Sequence, residues 1–161
     1  AAAKLRAQAL EAAPATSGTL NGQAFDWIAD GDSRLGPVLE AIINGRYCWL
    51  PFDALAKVSV EAPTDLRDMV WSAAQLEFTN GGQTVALLPT RYAGSAQIND
   101  GALQLARRTE WAELAPDQFS GLGQRVLVTD AQELGLLDVR EIVLAASSAS
   151  TAGAAGATDA A

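Results

Sequence analysis

The side chains most able to do chemistry are defined here largely by the types that are missing. There is no histidine in the 161 residues. That removes the usual general base, the usual activator of a nucleophile and the commonest metal ligand. Cys48 is the single cysteine, so neither an intramolecular disulfide nor a thiolate zinc site can form within one chain. Lying between Tyr47 and Trp49, it reads as a small buried apolar residue in a strand rather than a reactive thiol. Carboxylates remain, 19 in all. Asp30-Gly31-Asp32-Ser33 opens like a calcium loop, but Arg34 and Ala41 stand where the fifth and twelfth positions need oxygen ligands. A solvated loop is the expectation. A carboxylate enzyme would draw first on Asp30, Asp32, Glu110 and Asp130. It needs two of them facing each other in a deep pocket with a raised pKa. Gly121-Leu122-Gly123 lacks the third glycine of a dinucleotide fingerprint and precedes the strand-like RVLVT, so it reads as a turn or bulge. No cofactor and no metal are expected.

Contact chemistry is richer. Net charge is −8, with nine scattered Arg and two Lys, which disfavours nucleic acid. No apolar run approaches the ~18 residues of a membrane span, so no membrane insertion is expected. Arg34, Arg91, Arg107, Arg108 and Arg125 lie beside turns or aromatics. They either pair internally with Asp30, Asp32, Glu110 or Asp130, or capture carboxylates on a partner. The default for Trp27, Trp49, Trp71 and Trp111 is the core. Trp111, in RRTEW, is the one most expected at the surface. Those five arginines and Trp111 form the candidate protein-interaction set.

These groups must be positioned by a β-rich framework. Three Asn-Gly dipeptides, at 21–22, 44–45 and 80–81, favour the positive φ angles of type I′ hairpin turns. Folding PVLEAII onto RYCWLPF about Asn44-Gly45 pairs Ile43 with Arg46, Ala41 with Cys48 and Leu39 with Leu50. A helix over 37–44, with Pro37 first and Gly45 as cap, is the competing reading. AAQLEFT and GQTVALL flank the third turn as the clearest hairpin. KVSVE (57–61), LQLA (103–106), RVLVT (125–129) and VREIVLA (139–145) are further strands. Short helical turns are expected at 51–55 and 64–68, and a loop at 93–101. The fold class is therefore mainly β, with α+β as the alternative: a small antiparallel barrel or sandwich, an SH3-like barrel being the best guess. Residues 1–13 read as a helix ended by Pro14, with Leu5, Ala9 and Ala12 on one face. So short a helix needs something to pack on. Residues 1–18 are expected to be a terminal helix and linker from a preceding helical region, 19–144 the β-rich domain, and 145–161 a disordered Ala/Ser/Gly tail.

The blocks FDWIADGDSRLGPVLEAIINGRYCWLPF, DLRDMVW, NGGQTVALLPTRY, ARRTEW and GLGQR with LLDVREI occur in the order seen in the ImpE family, also called SciE or TagJ, and the chain resembles that family over about residues 5–144. The long first block is specific; the short ones are weak singly. The resemblance implies a non-catalytic cytoplasmic accessory protein of bacterial type VI secretion. It implies protein partners, namely the small sheath subunit and the ClpV-type ATPase that recycles contracted sheath, and a helical region before a portion such as this. It carries no catalytic residues. The alternatives are the carboxylate enzyme and a purely structural domain supporting a helical repeat region. Oligomeric state and strand order are not legible.

Overall fold

A computed structural model describes residues 1–145. In chain order the elements are α1 (Ala2–Ala12), β1 (Gly18–Leu20), β2 (Gln23–Phe25), β3 (Ile28–Asp30), β4 (Val38–Ile43), β5 (Arg46–Pro51), β6 (Leu55–Val60), β7 (Trp71–Phe78) and β8 (Gln83–Pro89). They continue with α2 (Gly101–Gln104), β9 (Thr109–Ala115), β10 (Gln118–Gly123), β11 (Val126–Thr129), β12 (Glu133–Gly135) and β13 (Glu141–Leu144). The tail expected over 145–161 falls, from 146 onward, outside the described residues.

The chain is mainly β and antiparallel. An eight-stranded sheet runs in the order β2-β1-β13-β6-β7-β8-β4-β5. A three-stranded sheet, β12-β11-β3, and the β9–β10 ribbon accompany it. The expected barrel does not form: among the described residues β2 and β5 are free edges of an open sheet. The physical reason lies after β2. The chain leaves the sheet at Asp26 and Trp27, where Asp130 Oδ1 accepts the Asp26 amide at 2.8 Å, and β3 then pairs with β11.

The alternation of the strands builds the core. In β7, Ser72, Ala74 and Leu76 face inward, and in β8 Ala86 and Leu88 do so. Of these, Ala74, Leu76, Ala86 and Leu88 meet Leu39, Phe52, Leu55, Val58, Leu127, Leu136 and Ile142 in one buried cluster. Each such fully buried aliphatic side chain contributes roughly 1.5–3 kcal/mol. The Asn44-Gly45 hairpin has the register read from its sequence, with Ile43 opposite Arg46, Ala41 opposite Cys48 and Leu39 opposite Leu50. Asn44 and Gly45 both take positive φ, 52° and 75°, so the strand displaces the helical reading of 37–44. Cys48 is half-buried. Asn21-Gly22 also takes the expected positive angles, 48° and 84°.

Asn80-Gly81 departs from expectation. Gly81 alone has positive φ, at 87°. The Gly81 amide donates to Phe78 O and the Phe78 amide to Gly82 O, a turn whose fourth residue bulges. LQLA is the other correction. Asp100 accepts from the Ala102 and Leu103 amides, which caps a short helix there in place of a strand. Phe52–Ala54 forms the helical turn expected at 51–55. Residues 64–68 form an exposed turn closed by Asp68, which accepts from the Thr64 amide and hydroxyl. Helix α1 has no buried residue, and Leu5 is exposed. Polar contacts hold it: Arg6 Nε donates to Gln118 Oε1 at 2.9 Å and Gln118 Nε2 to Ala3 O at 2.8 Å.

Candidate functional site

The segment 30–36 departs most from its sequence reading. It was expected to be solvated, yet Asp30 and Asp32 are both buried. Local hydrogen bonds explain the turn. Asp30 Oδ1 accepts the Asp32 amide, Asp32 Oδ1 accepts the Arg34 amide, and the Leu35 and Gly36 amides donate to Asp32 O. Ribbon β9–β10 then covers the loop. Asp32 Oδ2 accepts the Gly121 amide at 2.9 Å, and Ser33 and Phe119 exchange two hydrogen bonds. Two glycines permit this approach. A Cβ on Gly31 would lie 2.7 Å from the Trp111 ring, and one on Gly121 would lie 2.3 Å from the Tyr92 ring.

Beneath this loop sits Arg125, 1% exposed. Its backbone is fixed by Arg125 N to Thr90 O and Leu136 N to Arg125 O. Its guanidinium meets Asp30 Oδ2 at 2.6 Å, Pro89 O at 3.0 Å, and Glu40. The same guanidinium lies 4.9 Å over the Tyr92 ring. Tyr92 donates its hydroxyl proton to Asp30 Oδ1 at 2.7 Å and accepts the Val126 amide at 3.0 Å. Trp111 tilts onto Tyr92, with centroids 5.7 Å apart. A buried charge is tolerable only when paired and hydrogen-bonded, and among the described residues no buried side-chain polar atom lacks a partner.

The network has electrostatic consequences. Burial pushes the Asp30 carboxyl above its ordinary value, and Arg125 and the hydrogen bonds to Asp32 and Tyr92 pull it only part of the way back. Burial acts on Asp32 in the same sense. There the Arg34 guanidinium and the Gly121 and Arg34 amides outweigh it and hold the carboxyl below the usual range. Burial also drives the Tyr92 phenol well upward, helped by the adjacent Asp30 charge. The phenol is a permanent donor at any working pH.

The relay reaches the surface at the far side of Glu40. Tyr47 hydroxyl donates to Glu40, and Trp49 Nε1 donates to the Tyr47 hydroxyl at 2.6 Å. Tyr47 and Trp49 are 59% and 54% exposed. On the side of α1, a cleft of about 550 Å³ is lined by Leu10, Pro14, Trp27, Arg34, Phe119 and Val128 among others.

The candidate interaction residues scatter over this frame. Arg34 pairs with Asp32 at 2.6 Å and borders the cleft. Trp111 is 42% exposed and packs on Gly31. Arg108 bridges Asp100 and Glu110 on the surface. Arg107 is exposed, and half-buried Arg91 donates to Gln104 O. Arg125 is the correction: it is a core residue and offers no surface. The acids suspected of catalysis do not converge. Asp30 faces Arg125, Asp32 faces Arg34, Glu110 faces Arg108, and Asp130 caps the start of β3. No group of three or more His, Cys, Asp or Glu among the described residues could hold a metal ion. The core default for the tryptophans is corrected at Trp27 and Trp49, which are exposed, while Trp111, the one most expected at the surface, is exposed as well.

Glu40, Tyr92 and Tyr47 were missed. Glu40 could have been suspected as a charge inside PVLEAII, directly opposite Trp49 in the hairpin register. Nothing local marked Tyr92.

The family model described as "ImpE protein" matches residues 22–143, most of the described chain. The chain belongs to the ImpE family. It is 54% identical over 144 residues to the type VI secretion system accessory component TagJ of Pseudomonas aeruginosa strain PAO1. That match covers 88% of this chain and 49% of the relative, so the chain spans about half the length of the curated relative. A crystal structure of a Vibrio parahaemolyticus protein shares the fold with TM-score 0.81 at 23% identity, over 91% of this chain and 55% of that one. No helix among the described residues is long and apolar enough to cross a membrane.

Proposed function

We propose that this ImpE-family chain serves as a non-catalytic accessory module of a bacterial type VI secretion system, acting in the cytoplasm by binding other proteins. The observation that carries this is the 54% identity to TagJ across 144 residues. The partners it points to, through the family resemblance, are the small sheath subunit and the ClpV-type ATPase. Residues 19–144 act as the β-rich unit and 1–18 as the helix and linker at its amino-terminal side.

The binding surface is assigned to the rim of the cleft beside α1. Exposed Trp27, Trp111 and Phe119 lie there or next to it, and Arg34 presents its guanidinium at the edge. Aromatic and arginine side chains are the common anchors of protein interfaces. Arg91, Arg107 and Arg108, outside the cleft lining, are further candidates for carboxylate contacts. A non-catalytic role is supported by the separate arginine or capping partner of each suspected acid. The test is a pull-down of sheath subunits with the full-length protein that contains this module, compared with Trp111→Ala and Arg34→Ala forms. Loss of retention in these variants supports the assignment. No retention by the unaltered protein at low salt refutes the partner. Normal retention after deleting residues 19–144 would make the module purely structural.

A further inference from the structure

Among the described residues, strand β5 has β4 as its neighbour on one side and no strand on the other. Beside that free edge, the outer face of β5, β4 and β8 exposes Tyr47, Trp49, Leu87 and Val85. Soluble proteins usually blunt an apolar edge by shortening it, bulging it, charging it or covering it. Here β5 has six residues in unbroken register with β4. Its one charged residue, Arg46, is exposed at the hairpin tip. The aromatic pair is also held in place. Trp49 is tied to Tyr47 and Tyr47 to Glu40, which buried Arg125 grips from the other side. Side chains ordered before contact lose little entropy on binding.

The backbone of this edge is complementary to itself. In a two-residue hairpin the residues flanking the loop exchange hydrogen bonds. Arg46, Cys48 and Leu50 therefore turn their amides toward β4, and the Phe52 amide, next in that phase, donates to Pro37 O. Tyr47 and Trp49 turn both backbone groups to the free edge, where Pro51 has only its carbonyl. We propose that β5 pairs antiparallel with β5 of a second copy of this chain, about a two-fold axis through Cys48, to join the two eight-stranded sheets. Tyr47 then faces the partner subunit's Trp49, and Trp49 the partner subunit's Tyr47. Both pairs fall on the outer face, and each exchanges two backbone hydrogen bonds. An axis through Trp49 would oppose Tyr47 to proline and leave the Tyr47 carbonyl unpaired.

The area sets the strength. Four rings, each about half exposed from roughly 150–250 Å², contribute roughly 300–500 Å². That is well below the ~1,200 Å² of a stable complex, so the dimer is weak and depends on concentration. Each copy carries a net charge of −8, so screening salt strengthens it.

The experiment is sedimentation of the 161-residue chain over a wide concentration range. It is joined by mild oxidation, which reports Cys48, and by amide exchange. A central cross-strand pair with Cα atoms about 4.5 Å apart lies within disulfide reach. The expected result is a mass that rises with concentration and salt, a Cys48–Cys48 cross-link, and slowed exchange of the Tyr47 and Trp49 amides with Cys48 unchanged. Trp49→Lys should weaken association by about tenfold or more, while Leu105→Lys, at an exposed residue that ends α2 and belongs to no strand, leaves it intact. Circular dichroism verifies that Trp49→Lys folds; if it does not, the cross-link and exchange data on the unaltered chain decide. A monomer at every concentration, or a dimer whose protection spares β5, overturns the proposal. Protection of β5 without the cross-link overturns the Cys48-centred register.

Discussion

Arg125→Met gives the sharpest test of the buried network. The substitution keeps much of the side chain's bulk and removes its charge, leaving Asp30, whose side chain is 1% exposed, without its guanidinium. Breaking a buried pair by removing one partner costs roughly 3–5 kcal/mol. At this chain length that corresponds to a fall in Tm of roughly 6–20 °C. The loss also depends on pH, with a definite sign. Asp30 already has its folded pKa raised above the ordinary 3.8 by burial. A raised carboxyl binds its proton more tightly in the folded state, so its contribution to stability declines as pH rises through the window above 3.8. Removing Arg125 takes away the main opposing influence and widens that window upward. The deficit of Arg125→Met is therefore largest at neutral pH and shrinks as pH falls toward 4. Urea titrations followed by tryptophan fluorescence at a series of pH values measure it. The double variant Arg125→Met/Asp30→Asn should recover part of the loss at neutral pH, because it removes the uncompensated charge. A loss below about 1 kcal/mol, or one that ignores both pH and the Asp30 change, would falsify the view that Arg125 neutralises a buried carboxylate.

Tyr92→Phe removes the donor to Asp30 and the acceptor of the Val126 amide. It should cost roughly 1–3 kcal/mol in the same titration, with the wild-type fold retained by circular dichroism. Gly121→Ala forces a methyl against the Tyr92 ring and should cost roughly 1–3 kcal/mol, read as a lowered denaturation midpoint with unchanged slope. Asp32→Asn probes a carboxyl whose shift is opposite in sign to that of Asp30. Its folded pKa lies below 3.8, so its stabilisation is complete above 3.8 and lost as pH falls through the folded value. Wild type and variant should therefore converge in acid, which stability curves between neutral pH and pH 2 would check. Asn44→Ala places a Cβ-bearing residue without a compensating side chain at φ 52°. It should lose about 1–2 kcal/mol, while Asn44→Gly stays close to wild type in thermal melts.

The β4–β5 hairpin was legible down to register because a two-residue Asn-Gly loop and alternating apolar residues specify the same pairing. Strands β6, β11 and β13 were legible for the second reason alone. Ribbon β9–β10 was not. The residues of β9 are mostly exposed on both faces, so Glu110, Trp111 and Glu113 show no apolar alternation to read. The capping signal Asp100-Gly101 was present and competed with the apolar pattern of LQLA, which prevailed in the reading but not in the fold. The network around Arg125 was invisible because its partners are 95 and 85 positions away in sequence. Nothing local distinguishes Asp30 in a buried ion pair from Asp30 in a wet loop. The arginines were recognised as pairing groups; which one would be swallowed by the core depended on contacts that form only when the sheets meet.

Strand β13 lies in the middle of the large sheet, between β1 and β6, although it is the last strand described. Its partner Thr19 stands opposite Val143, one of the longest sequence separations in the protein. As the chain emerges from the ribosome, β1 and β2 are made before the other strands described and then wait, with nothing to join them to β6, until β13 itself has been synthesised. Throughout that interval β6 presents an unfilled edge. Contacts so distant in sequence close slowly and leave pairing surfaces open to other chains meanwhile. Production of this protein should accordingly benefit from slower synthesis or lower temperature. A truncation stopping before Glu141 should be recovered as aggregate rather than as a smaller folded sheet.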